Sequence, residues 1–315
     1  MDTASRHQHH STKPGMMSTG VAKFLVGVRK ERMFLAASRS LDEMAGTHAG
    51  TVRSAIRKAK MRLRKSRVPA LGMLVAVLAT LLLAACSMKR TAVNLVGNAL
   101  AGSGGVYASD DDPELIRDAI PFGLKTYESL LAVSPEHRGL LLAAASGFTA
   151  YAYLLQEEAD RIEATDLSRG RELRARARKL YLRGRDYALR GLEVDHPSFT
   201  ATLHSARAAG LALTTEEDVP FLYWAGAAWA GALTAAKDDL DLLAELPIAG
   251  ALVGRVLELD ERYELGAAHE FFISYEGSRP GGSVSRARGH YRRALEISGG
   301  QRASVHLALA EAVTI

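Results

Sequence analysis

The chain has 315 residues, 48% of them apolar and 6% aromatic, enough for one or two domains with a sizeable core. Its formal charge of +5 is unevenly spread: residues 1–85 carry 15 Lys and Arg against 4 Asp and Glu, and the remainder carries 25 against 31. The basic excess belongs to the leading segment, so the acidic remainder excludes a nucleic-acid role on charge grounds, and the single cysteine excludes an internal disulfide.

Residues 1–60 show no sustained periodicity. Met33-Phe34-Leu35-Ala36-Ala37 could begin a helix, but no matching apolar face lies nearby. His7, His9 and His10 lack partners at ligand spacing and read as part of a polar, disordered tail. The segment 61–85 has a different pattern. Arg62, Arg64, Lys65 and Arg67 precede an uncharged run from Val68 to Ala85, which ends on small residues before Cys86. A basic region, an apolar region and small residues at the cut site describe a secretory signal. The ending Leu83-Ala84-Ala85-Cys86 resembles the lipobox of bacterial lipoproteins, in which the cysteine is acylated and becomes the mature N-terminus. A transmembrane helix is the competing reading, because the run is just long enough to span a bilayer. A signal is read from an N-terminus, so Met61 is the expected start and residues 1–60 are expected to be mis-assigned upstream sequence. A genuine cytoplasmic extension is the alternative.

From Cys86 to Ile315 the pattern is helical. Arg90 to Leu100 places Val93, Val96 and Leu100 on one face, and the glycine-rich stretch 101–105 stops it, without the ending a phosphate loop needs. Asp112-Pro113 starts a helix reaching Val133, interrupted by Pro121. Further helices are expected at Arg138–Glu163, Asp166–Val194, Phe199–Leu213, Phe221–Ala236, Asp238–Leu259, Arg262–Tyr275, Ser285–Ile297 and from Ala303 onward. Thr215-Glu216-Glu217-Asp218 supplies a cap. The Asp166–Val194 helix carries Arg169, Arg171, Arg174, Arg176, Arg178, Lys179, Arg183, Arg185 and Arg190, a solvated face that could also dock an acidic partner. No stretch alternates like an exposed strand. The fold expected is all-α.

A weak repeat runs through these helices. Tetratricopeptide pairs carry a small residue in the second helix, a bulky one four later, a small or apolar one three further on and a proline five beyond that. Gly123, Tyr127, Leu130 and Pro135 fit fully. Ala287, Tyr291, Ala294 and Gly299 fit with glycine for proline, and Ala249, Val253, Val256 and Glu261 fit less well. Gly184, Ala188 and Gly191 are followed by Pro197 one residue late. Small residues allow close approach, and pairs that cannot bury their faces alone stack into a curved array. The architecture expected is a divergent tetratricopeptide-like helical repeat array, an α-α superhelix, over residues 86–315.

A lipobox followed by such pairs resembles the T component of tetratricopeptide-repeat-associated TRAP transporters, a bacterial lipoprotein family. The stretches that carry the likeness run from Asp111 to Phe122, with Lys125 and Glu128-Ser129-Leu130-Leu131, and from Leu140 to Phe148. Tyr223-Trp224-Ala225-Gly226-Ala227-Ala228-Trp229, His269-Glu270-Phe271-Phe272 and Leu307–Glu311 continue it. The resemblance implies a periplasmic, lipid-tethered protein that forms a homotrimer. Its implied partner is the solute-binding protein of a TRAP importer, with an organic acid or apolar ligand as cargo. The family normally continues through another long helix, so the end at Ala312-Val313-Thr314-Ile315 is expected to be a truncation.

Catalytic patterns are lacking. His137, His196, His204, His269, His290 and His306 are dispersed, His269-Glu270 is followed by no second histidine at metalloprotease spacing, and no Gly-x-Ser-x-Gly elbow occurs. Asp110-Asp111-Asp112 lacks the grammar of a calcium loop and reads as a loop with an N-cap. No metal or other cofactor is expected. Cys86 is the lipidation site. Tyr223, Trp224 and Trp229 are the candidate binding residues, and the five-residue spacing of the two tryptophans sends them to different sides of one helix, with core packing as their competing role. The function expected is a non-enzymatic lipoprotein of solute import, anchored in the periplasm and sorted to the outer membrane because Ser87, not aspartate, follows Cys86. A generic helical-repeat scaffold lipoprotein in envelope assembly is the alternative.

Overall fold

The computed structural model describes residues 57–58, 73, 89–102, 109–236 and 238–314; Cys86 and most of the signal segment lie outside them. The chain divides into two units, Met1–Leu82 and Leu83–Ile315, and the elements from α1 onward belong to the second. Its described regular elements are all helical: α1 (89–101), α2 (Pro113–Leu131), α3 (Arg138–Ile162), α4 (Leu167–Asp195), α5 (Phe199–Ser205) and α6 (Arg207–Ala212), then a 3-10 turn (Glu216–Asp218). There follow α7 (Val219–Thr234), α8 (Leu240–Ala244), α9 (Leu246–Leu259), α10 (Tyr263–Ser278), α11 (Val284–Ser298) and α12 (Ala303–Thr314).

Local chemistry starts these helices where the sequence indicates. Asp112 Oδ1 accepts from the Glu114 and Leu115 amides at 3.1 and 3.0 Å, and Pro113 takes the first turn, where a missing N–H costs nothing. Asp166 Oδ1 accepts from Arg169 N at 2.9 Å to open α4. His137 Nδ1 accepts from Leu140 N at 3.2 Å to open α3. Three expectations need correction. The helix α2 runs unbroken through Pro121, because Ile120 and Leu124 on either side pack into the array and one lost backbone bond does not end it. The span Phe199–Leu213 is two helices, since Ala206 leaves helical geometry and α6 folds back to set Gly210 against Thr202 and Leu203. The span Asp238–Leu259 is also two, because Pro247 cannot continue α8 and instead sits in the first turn of α9.

Packing repeats along the chain. The helices α3, α7, α10 and α12 form one layer, each touching the next. A second layer, α4, α9 and α11, fits between them, each helix contacting the first-layer helix before it and the one after. The spaced quartets of the sequence fall on α2, α4, α9 and α11, all outside the first layer. At Gly184 on α4 an added Cβ would lie 2.6 Å from Thr149 Oγ1 and 3.0 Å from the Ala145 carbonyl of α3. At Gly226 on α7 it would lie 2.5 Å from a Val253 methyl and 2.9 Å from the Ala249 carbonyl of α9. Small residues thus set the spacing between layers.

One apolar cluster runs from Leu124 to Ala268, and Trp229, Phe199, Leu140, Leu141 and Leu173 are its largest fully buried members. Each buried leucine contributes about 1.5–3 kcal/mol. A smaller cluster, with Ile273, Ala287, Ala294, Val305, Ala308 and Ala312, joins α10, α11 and α12. The helix α3 is long and apolar enough to cross a membrane, but Leu140, Leu141, Ala144, Phe148, Ala152 and Leu155 are buried against its neighbours, which makes it the core helix of the array.

Three arginines of the basic face expected of α4 pair with carboxylates of neighbouring segments. Arg174 meets Asp160 and Glu163, Arg178 meets Asp239, and Arg183 meets Glu128 of α2. Glu128 also accepts from Tyr187 at 2.8 Å and Lys125 at 2.6 Å. Arg185 lies over the Trp229 ring, 4.7 Å from its centroid. Asp218 is a second junction: buried, it accepts from Thr215 N at 3.0 Å, from Arg138 at 3.2 Å and from His196 at 2.8 Å. Burial alone would raise its carboxyl pKa, but the His196, Thr215 and Arg138 donors hold it below the usual range.

Two predictions follow from this packing. Gly184→Val should destabilise by about 1–3 kcal/mol, whereas Gly289→Ala, at an α11 position where a Cβ meets nothing within 4 Å, should stabilise by up to about 1 kcal/mol. Urea denaturation of both variants reads the contrast. Asp218→Asn should cost stability at neutral pH. Because the folded carboxyl is depressed, the wild-type advantage is complete above the unfolded pKa near 3.8 and lost as pH falls through the lower folded value. The gap between wild type and variant should therefore close below about pH 4.

Candidate functional site

Along α3, Gly139, Ala143, Ser146, Gly147 and Ala150 fall on one face at helical spacing, so apart from Leu142 beside them that stretch of the helix is nearly bare. That face floors a cavity of about 920 Å³. Its walls come from other elements: Ala101 at the end of α1, Ile116, Ile120, Leu124 and Tyr127 of α2, Tyr223 and Trp224 of α7, and Tyr263, Glu264 and Ala267 of α10. Tyr153 and Leu154 extend the floor, and Arg302, just before α12, is the one cation among the lining residues. A concave, mainly apolar space with few polar groups is the usual form of a small-molecule site.

The aromatic corner is tightly arranged. Tyr223 stands edge-on to Trp224, with ring centroids 5.2 Å apart, and Tyr263 lies 5.4 Å from Tyr223. Burial pushes the Tyr223 phenol up to about 12, with the Glu270 carboxylate adding to the shift. Burial likewise raises Tyr153 to about 12, assisted by Glu157, and raises Tyr263, assisted by Glu264. These phenols remain neutral hydrogen-bonding groups at any physiological pH. Arg302 is already held: Nε donates to Glu270 Oε2 at 2.8 Å, and Nη1 donates to the Glu264 carbonyl at 2.5 Å.

The Glu264 carbonyl belongs to the longest left-handed run among the described residues. Glu264, Leu265 and Gly266 are consecutively left-handed, with φ of 46°, 57° and 85°. Glycine adopts this region freely, but a side-chain-bearing residue pays about 1–2 kcal/mol there. The turn kinks the start of α10 between the cavity residues Tyr263 and Ala267, and Arg302 fastens it. Leu265 is about half exposed, so Leu265→Gly removes little packing. Its stability should rise by about 1 kcal/mol, the left-handed penalty relieved, as read by thermal unfolding.

The structure separates the candidate binding residues. Tyr223 and Trp224 line the cavity, while Trp229 lies on the other side of α7, buried, its indole donating to Glu245 Oε2 at 2.9 Å. Tyr153, Tyr263, Glu264 and Arg302 were not singled out by the sequence, and Tyr127 only as a repeat position, because no local spacing unites residues from separate helices. The small-residue stripe of α3 was the one available signal. His269, followed by no second histidine at metalloprotease spacing, finds one in space: its Nδ1 is 2.9 Å from His290 Nδ1, and Glu261 lies 3.5 Å from its other nitrogen. Burial lowers the pKa of both histidines, so they pair as neutral rings. Among the described residues no cluster of His, Cys, Asp or Glu is arranged to hold a metal.

An all-helical array enclosing an apolar cavity defines the class, and comparison defines the family. The family model for the TRAP transporter T-component matches residues 109–315, and the chain belongs to that family. An uncharacterized protein of Treponema pallidum (strain Nichols) is 29% identical over 257 residues, covering 75% of this chain and 80% of its own length. The chain is therefore an accessory component of a TRAP transporter, with a role in transport at the cell envelope.

Proposed function

We propose that the protein is a lipid-anchored periplasmic accessory of a TRAP-type importer, acylated at Cys86 and held on the outer membrane. Its folded part binds the importer's solute-binding protein and receives an apolar or organic-acid ligand in the cavity. The observation that carries this reading is the cavity itself, whose bare α3 floor and aromatic corner would have no purpose in a helical scaffold. An apolar ligand body suits the aliphatic and aromatic walls, and a hydrogen-bonding end suits the neutral Tyr223 phenol and the Arg302–Glu270 pair. The recurring pairs read as divergent tetratricopeptide units, supported by the spaced quartets on α2, α4, α9 and α11. A homotrimer follows from the family resemblance alone.

Ala150 lines the cavity and is exposed to it, so a large side chain there fills the space without disturbing the core. Wild-type protein should bind the neutral apolar dye N-phenylnaphthylamine with a rise in fluorescence. Ala150→Trp should lose that rise and keep its melting temperature. Equal dye binding by the variant would sink the cavity reading. Acyl labelling in cells checks the anchor, and Cys86→Ala should abolish it.

A further inference from the structure

The inward side of α1 is fastened to the array. Gly97 is buried against Leu140 and His137, and His137 Nε2 donates to the Asn94 carbonyl at 3.4 Å. The outward side is apolar and exposed: Ala92, Leu95, Val96 and Ala99 follow helical spacing, with Leu95 73% and Val96 49% accessible. A helix docked along one side that shows leucine and valine to water on the other is a surface that expects cover. Lys89 and Arg90 stand at its start, in a segment from Cys86 onward that is otherwise acidic; Arg90 also reaches Glu136 at 3.6 Å, with half of its side chain left exposed. Two residues, Ser87 and Met88, separate Cys86 from Lys89, and even fully extended the three steps reach only about 11 Å.

We propose that this outward stripe of α1 lies on the lipid surface, with Leu95 and Val96 in the acyl–headgroup boundary and Lys89 and Arg90 on anionic headgroups. The proposal rests on acylation of Cys86 and adds to it: the acyl chains hold the protein, and the stripe fixes its orientation. An apolar face flanked by basic residues is the form of an interfacial helix. The short spacer leaves the array no room to swing away. Ala101, at the far end of the same helix, lines the cavity, so the cavity's α1 edge is held at a fixed height above the bilayer.

The test uses the processed, acylated chain in vesicles of phosphatidylethanolamine and phosphatidylglycerol. Cys86 is the only native cysteine, so a nitrobenzoxadiazole dye reacts only at a cysteine introduced by Leu95→Cys or, as control, by Arg292→Cys on the exposed face of α11. The Leu95→Cys label should be severalfold brighter and blue-shifted, and quenched by spin-labelled lipid, while the Arg292→Cys label stays in water. Adding Val96→Asp should dim the first label while acylation persists. An acylated, vesicle-bound chain whose Leu95→Cys label behaves like the control overturns the proposal and leaves the anchor standing. A chain without acyl groups by mass spectrometry removes the anchor reading and this proposal with it. Enhancement that disappears on dilution with excess lipid assigns the stripe to a second copy of the chain and also overturns the proposal.

Discussion

The closeness of the two helix layers is the constraint on which the structure depends. At Gly184 and Gly226 there is no room for a Cβ, and in each case the obstructing atoms include a backbone carbonyl of the partner helix. Backbone does not move aside as a side chain does, so the interlayer distance is fixed at these points. With that distance set, each second-layer helix can wedge between two first-layer helices, and the array propagates by nearest-neighbour contacts. Stability is correspondingly distributed, with charged junctions such as Glu128 and Asp218 tying helices that are far apart in sequence.

The same use of small residues has two outcomes. Where a glycine or alanine of α4 or α9 faces a partner, it closes a gap. Where the small residues of α3 face α7 and α10, the partners stand back and a cavity remains, while Leu124 of α2 closes against Gly147. The difference lies in the opposing side chains. Tyr223, Trp224 and Tyr263 are too large to follow the bare face inward, and they pack edge-on and tilted against one another instead. The left-handed turn at Glu264–Gly266 belongs to this wall, its carbonyl held by Arg302. Strain of this kind persists only where surrounding contacts determine the backbone, and here it borders the site.

Much of the fold was legible in the sequence because its signals are local. Asp112 and Asp166 cap helices by bonds to amides two or three residues away, and the small positions of the second-layer helices could be read from spacing alone. Proline was legible only in part. Pro247 starts a new helix and Pro121 sits inside one, and what separates them is packing around the residue, not the residue itself. The cavity was visible only as Tyr223 and Trp224. Its other walls come from α1, α2, α3, α10 and the approach to α12, and their meeting is a property of the stack. The left-handed Glu264 and Leu265 carry no local mark, since neither favours that conformation. The His269–His290 pair is hidden for the same reason, its members lying on different helices.

The central claim is that the array serves a TRAP importer by docking its solute-binding protein. Affinity capture of the acylated chain from detergent-solubilised envelopes, followed by mass spectrometry, tests this most directly. The account predicts stoichiometric recovery of a TRAP-type solute-binding protein. Recovery of envelope-assembly proteins with no solute-binding protein among them would contradict it.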